Sequence, residues 1–247
     1  MLPPKDASKN LMTKDDCSTV IQQALNEKRT SLLIDEAQQV CENHHISTPK
    51  SRIASSIDDA LEKARQIGYP VVLKIVSPQI IHKTESGGVM LNVKNEKELS
   101  VQYETLISGI KSGEPSATIR GVLVEKMMPP STEVIVGGLR DKQFGPSVMF
   151  GIGGIFAETY DDVVFRIAPL DQVDALNMIH ELKGSRMLEG TRGKPPLDLD
   201  AIVKVLAGVS EIMIQHDAIN QLDLNPVIVY PNSACAVDSR IILTEGT

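Results

Sequence analysis

Hydrophobic positions along this 247-residue chain follow two periods, one close to the ~3.6 of a helix and one close to the 2 of a strand. Leu33, Ala37, Val40, Cys41 and His44 fall at helical spacing. So do Ile57, Ala60, Leu61, Ala64 and Ile67, after the capping-type Ser55 and Ser56 and before Gly68 and Pro70. A third helix is expected from Asn95, where Glu98 completes a capping box, and it carries Leu99, Tyr103, Leu106, Ile107 and Ile110. Two more run from Asp171 toward Lys183 and from Asp198 toward Gln215, the second with Leu199, Ile202, Val203, Leu206, Val209 and Met213 on one stripe. Strand-like runs are Pro70–Val76, Gly88–Val93, Ile119–Lys126, Glu133–Leu139, Pro146–Phe150, Asp162–Ile167, Leu222–Tyr230 and Ala234–Leu243. Several follow one another after short loops, which favours antiparallel pairing, and helices separate the rest. The pattern is that of an α+β protein, not a regular βαβ repeat.

Residues 1–29 are polar and broken by Pro3 and Pro4; they are expected to form a loosely ordered extension, with at most a short helix near Val20–Leu25. The prolines of Met127-Met128-Pro129-Pro130 stiffen a connector between two strands, so the remainder divides into lobes at 30–128 and 129–247. Net charge is -7, from 25 basic and 32 acidic residues with no basic block, which argues against nucleic acid as a partner. With no Trp, four Tyr and four Phe, stacking platforms for single strands are not expected either. Cys17, Cys41 and Cys235 are odd in number, far apart and without a CxxC pair, so neither a disulfide framework nor a thiolate zinc site is expected. The start lacks the apolar stretch of a secretory signal, and no run reaches the ~18 apolar residues of a membrane span. A cytoplasmic protein with no membrane partner is expected.

Candidate chemistry lies in a few places. In VVLKIV, Lys74 stands within a β-branched run, where an ammonium needs an anionic partner or a route to solvent along its stem. In GVLVEKM, Lys126 shares a face with Val122 and Val124, while Glu125 faces the other way. Two strand-borne lysines before a lobe seam suit a polyphosphate held in a cleft. Between those strands, Ser86, Gly87 and Gly88 can present backbone N–H groups to a phosphate, although no Walker lysine follows them. His82 in the same loop is a candidate nucleophile, base or donor, or else packs its ring on Ile81. FGIGGIF fails the dinucleotide fingerprint, since Phe156 stands where glycine is needed. In LDLNPVIV, Asp223 and Asn225 share a face opposite Leu222 and Leu224, and Asp238 lies on the next strand-like run; these hard oxygens suit Mg²⁺ shared with phosphates, or simply a half-exposed hairpin. Arg166, another positive charge among apolar residues, is a candidate phosphate holder. Arg192 and Lys194 are left unassigned.

Taken together, GYPVVLKIVSPQIIHKTESGGV, the VEKM hinge with EVIVGGLRDKQFGPSVMFGIGGIFAE, FRIAPL, LDLNP and AVDSRIIL resemble the ATP-grasp subunit of NDP-forming acyl-CoA synthetases. The likeness is nearest to the ADP-forming acetyl-CoA branch, runs over about residues 30 to 243, and leaves the first ~30 residues outside. The resemblance implies an ATP-grasp fold of two α+β lobes with ATP or ADP held between antiparallel sheets. It implies that Lys74 meets the phosphates, that Glu125, Lys126 and Met127 form a hinge against adenine, and that Glu133 lies at the ribose. Asn225 and Asp238 match magnesium ligands. His82 matches a histidine that carries a phosphoryl group between two active sites, and Asp223 the acid that steadies its ring. The reaction implied is acyl-CoA plus phosphate plus ADP giving acid, CoA and ATP. It requires an α subunit with the CoA-binding domain and a second phosphohistidine, in an expected α2β2 assembly. Two other functions stay open on the sequence: another ATP-grasp carboxylate ligase, and a non-catalytic nucleotide-sensing module serving an acyltransferase.

Overall fold

The structure, a computed structural model, describes residues 14–153, 162–190 and 195–244. Its first part runs α1 (Lys14–Asn26), α2 (Ile34–Asn43), β1 (Ser51–Ala54), α3 (Ile57–Ile67), β2 (Val71–Val76), β3 (Val89–Val93), α4 (Glu96–Gly113) and β4 (Gly121–Lys126). The second part runs β5 (Thr132–Asp141), β6 (Gly145–Ile152), β7 (Val163–Ile167), α5 (Gln172–Glu181), α6 (Leu199–Gln215), β8 (Ile219–Tyr230), β9 (Ser233–Ala236) and β10 (Ser239–Leu243). Helix starts follow local chemistry. Ser56 accepts a hydrogen bond from Asp59 N, Asn95 from Glu98 N, and Asp198 from Ala201 N, each satisfying an otherwise orphaned first-turn donor.

Two antiparallel sheets result. The smaller has the order β1-β4-β2-β3, and the larger β10-β8-β5-β6-β7 with β9 on β8. In the small sheet, Val71, Leu73, Ile75, Val122 and Val124 face α3 and α4 and make one core. In the large sheet, Val136, Val148, Phe150, Leu222 and Leu224 face α5 and α6 and make the main core. A small apolar group, Leu33, Ile34, Val76 and Leu123, joins α2 to the small sheet. Each sheet thus has one face covered by helices, and the other faces carry the site.

The amino-terminal segment departs from its expected loose order. From Lys14 to Asn26 it is helical, with Cys17, Ile21 and Ala24 buried in the main core beside Val40 and Cys41 of α2. Ser31 bridges Ile242, and Leu32 N donates to Ile241 O, so this stretch is tied to the edge of the large sheet. Residues 17–46 therefore bury most of their apolar side chains in the main core, while Leu33 and Ile34 of the same stretch reach the small sheet. Residues 1–13 lie outside the described residues, as do Gly154 and Phe156 of the glycine-rich run and the unassigned Arg192 and Lys194.

Candidate active site

The uncovered faces of the two sheets enclose a cavity of about 320 Å³. Its apolar part includes Val72, Ile228, Met127 and Met128; its polar end holds Lys74, Asn225 and Asp238, with the exposed Glu133 along one side. A second cavity of about 250 Å³, lined by His82, Lys83, Asp223 and Arg240, shares Thr84, Asn225 and Asp238 with the first. The site is thus one cleft with an apolar end, a charged middle and a histidine at its far end.

Lys74 occupies the centre of β2 and is buried except where it borders the cavity. Its ammonium lies 2.7 Å from Glu125 Oε1, donates to Val237 O at 2.5 Å and stands 3.9 Å from Asp238 Oδ1. Glu125 is itself buried; its other oxygen accepts from Gln38 Nε2 at 2.6 Å, and Gln38 in turn accepts from Ser51 Oγ at 2.7 Å. Burial pushes the Glu125 carboxyl up, and the neighbouring Lys74 opposes that rise. Sequence reasoning gave Glu125 to the adenine; in the structure its carboxylate is the anchor of Lys74. The burial of a charge that the strand pattern flagged is resolved by pairing, as desolvation requires.

Lys126 corrects the two-lysine reading. Val71 is its partner across the sheet, so it projects from the face opposite Lys74. Its ammonium donates to Gly68 O at 2.8 Å and Tyr69 O at 3.0 Å, closing the turn before β2, although the residue still borders the cleft beside Met127.

The glycine loop also differs. Ser86 N donates to His82 O, Gly87 N to Thr84 O and Gly88 N to Lys83 O, so the three expected phosphate donors are spent on closing the loop itself. Gly87 has a φ of +67°, and a Cβ on Gly88 would meet Ile75 Cγ2 at 2.7 Å. The glycines are required for a tight turn against β2. The loop lines the histidine cavity through Ile81 to Glu85 instead.

On the large sheet, alternation puts Leu222 and Leu224 in the core and Asp223 and Asn225 in the cleft, as their spacing predicts. The expected single strand from Ala234 to Leu243 is two, and the interruption at Val237–Asp238 delivers a carbonyl and a carboxylate to Lys74. Arg240, cross-strand partner of Asp223, was not singled out from the sequence. Its Nη2 lies 3.2 Å from Asp223 Oδ2, and its Nη1 lies 3.1 Å from His82 Nε2 and 3.2 Å from Nδ1. The guanidinium nitrogen is nearly equidistant from the two ring nitrogens, and Asp223 reaches His82 through it, not by the direct contact expected. Partial burial pushes the Asp223 carboxyl up, against the pull of Arg240. A basic residue on an apolar strand two positions past an acid was the available signal. Arg166, read as a positive charge among apolar residues, pairs with Glu181 at the sheet edge, away from the cleft.

The family model described as an ATP-grasp domain matches residues 23–243. The chain belongs to the ATP-grasp family. Within it, the chain is 42% identical over 224 residues to the β subunit of ADP-forming acetate–CoA ligase I from Pyrococcus furiosus, covering 91% of this chain and 96% of that one. It superposes on the acetyl-coenzyme A synthetase 1 of Ca. Korarchaeum cryptofilum, solved with coenzyme A and Ca-AMPCP, with a TM-score of 0.89, 44% identity and coverage of 92% and 99%. A second structure of that enzyme, with coenzyme A, Mg-AMPPCP and a phosphohistidine segment pointing towards the nucleotide-binding site, gives a TM-score of 0.81 at 41% identity, covering 92% and 100%. The expected ATP-grasp fold and its ligase family are borne out. Among the described residues no helix is long and apolar enough to cross a membrane.

Proposed function

We propose that this ATP-grasp chain is the nucleotide subunit of an ADP-forming acyl-CoA ligase, moving a phosphoryl group between ADP and His82. The observation that carries the reading is the junction of the two cavities at Thr84, Asn225 and Asp238, which sets a histidine beside the polar end of a nucleotide-sized cleft. The apolar end, with Met127 and Met128, receives adenine, Glu133 the ribose, and Lys74 the phosphates. Asp238 and Asn225 fit Mg²⁺: the carboxylate oxygen Oδ1 of Asp238 is buried with no hydrogen-bond partner, and both side chains are hard oxygen donors on the cleft wall. When bound, the ion neutralises phosphate charge during transfer.

The chain's own residues do the rest. Phosphoryl transfer depends on positioning and charge stabilisation. Lys74, held by Glu125 and Val237 O, is preorganised and needs no rearrangement to meet a phosphate. A lone pair on one His82 ring nitrogen attacks the γ-phosphorus; the bond to the bridging oxygen breaks, and ADP leaves with that electron pair. The reverse step makes ATP. Arg240 donates to the ring while His82 is unmodified and to the phosphoryl oxygens once it is loaded, with Asp223 holding the guanidinium in place.

The overall reaction is acyl-CoA plus phosphate plus ADP giving acid, CoA and ATP, completed by an α subunit that carries the CoA-binding domain and the other phosphohistidine. The assembly is α2β2, and its location cytoplasmic, consistent with three buried cysteines, none of them in a disulfide. The test is isotope exchange between ADP and ATP by the purified chain with Mg²⁺. Exchange through a phosphoenzyme is expected in the wild type and lost in His82→Ala; exchange that survives in His82→Ala, or none in the wild type with its partner present, would reject the reading.

A further inference from the structure

On the far side of the main core from the cleft, three segments bring together side chains that the sequence scattered over 200 positions. Cys17 comes from α1, His44 caps the carboxy end of α2, and His216 caps the carboxy end of α6. All three are buried, and each offers one ligand atom such that the three atoms lie within 4.8 Å of one another. We propose that Cys17, His44 and His216 form a site for one Zn²⁺-class ion that staples α1 to the large lobe.

Four observations support it. First, the donor set, one thiolate sulfur and two imidazole nitrogens, is that of a borderline-soft cation. Second, His44 Nδ1 lies 2.8 Å from Val40 O, the outer-shell contact that fixes the Nδ1–H tautomer and leaves Nε2 its lone pair. Third, Asn43 Nδ2 donates to Cys17 Sγ at 3.0 Å, as suits a sulfur carrying negative charge. Fourth, α2 and α6 both end here, so the negative ends of two helix dipoles converge on the place where a cation would sit. Around Zn²⁺ the donors stand roughly 3.3–3.6 Å apart given metal–ligand distances of about 2.0–2.3 Å. Closing from the observed spread takes roughly 1 Å of side-chain rotation. The fourth position falls to Gln215 Oε1, 3.4 Å from His44 Nε2, or to water beside that exposed side chain.

The site lies outside the nucleotide machinery, and Cys17 lies before the residues that match the family model, which begin at 23. The ion would therefore tie the start of α1 to the carboxy ends of α2 and α6. Where the sequence discouraged a thiolate zinc site for lack of a CxxC pair, the fold supplies one from distant residues.

Co²⁺ is the probe. The full chain, stripped by dialysis against a chelator, is titrated with Co²⁺ while thiolate-to-cobalt charge transfer is read in the near ultraviolet. The band is expected to saturate at one ion per chain, to be displaced by Zn²⁺, to vanish in Cys17→Ser and His216→Gln, and to persist in Cys235→Ala, a buried thiol elsewhere. One equivalent of Zn²⁺ is expected to raise the melting temperature of the wild type and leave that of Cys17→Ser unmoved. No band in the wild type at stoichiometric Co²⁺, or a band that persists in Cys17→Ser or His216→Gln, overturns the proposal. The wild-type titration decides even if a variant fails to fold.

Discussion

Lys74 and Arg240 stand on opposite walls of one cleft and are held in opposite ways. The Lys74 side chain is 6% exposed and locked between Glu125, Val237 O and, farther off, Asp238. Arg240 is 23% exposed, tied to Asp223 on one side and resting on an exposed histidine on the other. A buried cation with a buried counter-ion keeps one position because any other leaves a charge uncompensated. A half-exposed guanidinium can exchange partners at small cost, since water meets whatever it releases. The first arrangement suits a fixed phosphate holder, and the second suits a group that follows a histidine between its unloaded and loaded states.

Removing the histidine should break the comparison most severely. His82→Ala is expected to lower phosphoryl transfer at least ~10³-fold, as loss of a nucleophile does, with ADP affinity measured by calorimetry little changed. Next comes the anchor of the fixed charge. Glu125→Ala leaves Lys74 buried without its nearest carboxylate and should destabilise the fold by about 3–5 kcal/mol, read by chemical denaturation. Arg240→Gln should cost ~10²-fold in transfer rate, with stability nearly unaffected, which separates a positioning guanidinium from a structural one.

A smaller effect concerns pH. Burial raises the Asp223 carboxyl in the folded protein above its ordinary value of 3.8. The folded state then binds a proton that the unfolded state has released. Its contribution is most favourable below that value and is lost as pH rises through the raised one. Relative to Asp223→Asn, the wild type should therefore lose stability with rising pH over that window; a parallel pH profile for the two proteins would refute the stated direction. Smallest of all, Arg166→Ala removes an edge pair with Glu181 and should change stability by about 0–1 kcal/mol and activity not at all.

The sequence pattern foretold much of this architecture because amphipathic periods report local burial. The helices at Ile57–Ile67 and Leu199–Gln215 match the spacing of their apolar stripes. What escaped it depends on distance along the chain. Strand β1 is four residues, too short to show a period, and exists because β4 offers it an edge. Helix α1 is polar in composition, and only packing on α2 shows that Cys17, Ile21 and Ala24 form its inner face. In the cleft, the alternation of Asp223 and Asn225 against Leu222 and Leu224 was legible because it is local. That Glu125 serves Lys74, that the N–H groups of Ser86 to Gly88 turn inward, and that Arg240 comes between Asp223 and His82 are cross-strand or loop-closing facts. Lys126 shows the limit: its face was read correctly, but its relation to Lys74 needed the register of β2 against β4.

The central claim is that His82 carries the phosphoryl group. The most direct measurement is incubation of the purified chain with Mg²⁺ and γ-labelled ATP, alone and with its α partner, followed by mapping of acid-labile, alkali-stable label. The account predicts label on His82, reduced in Arg240→Gln and gone in His82→Ala. Label that remains in His82→Ala, or its absence from the wild type under both conditions, would contradict it.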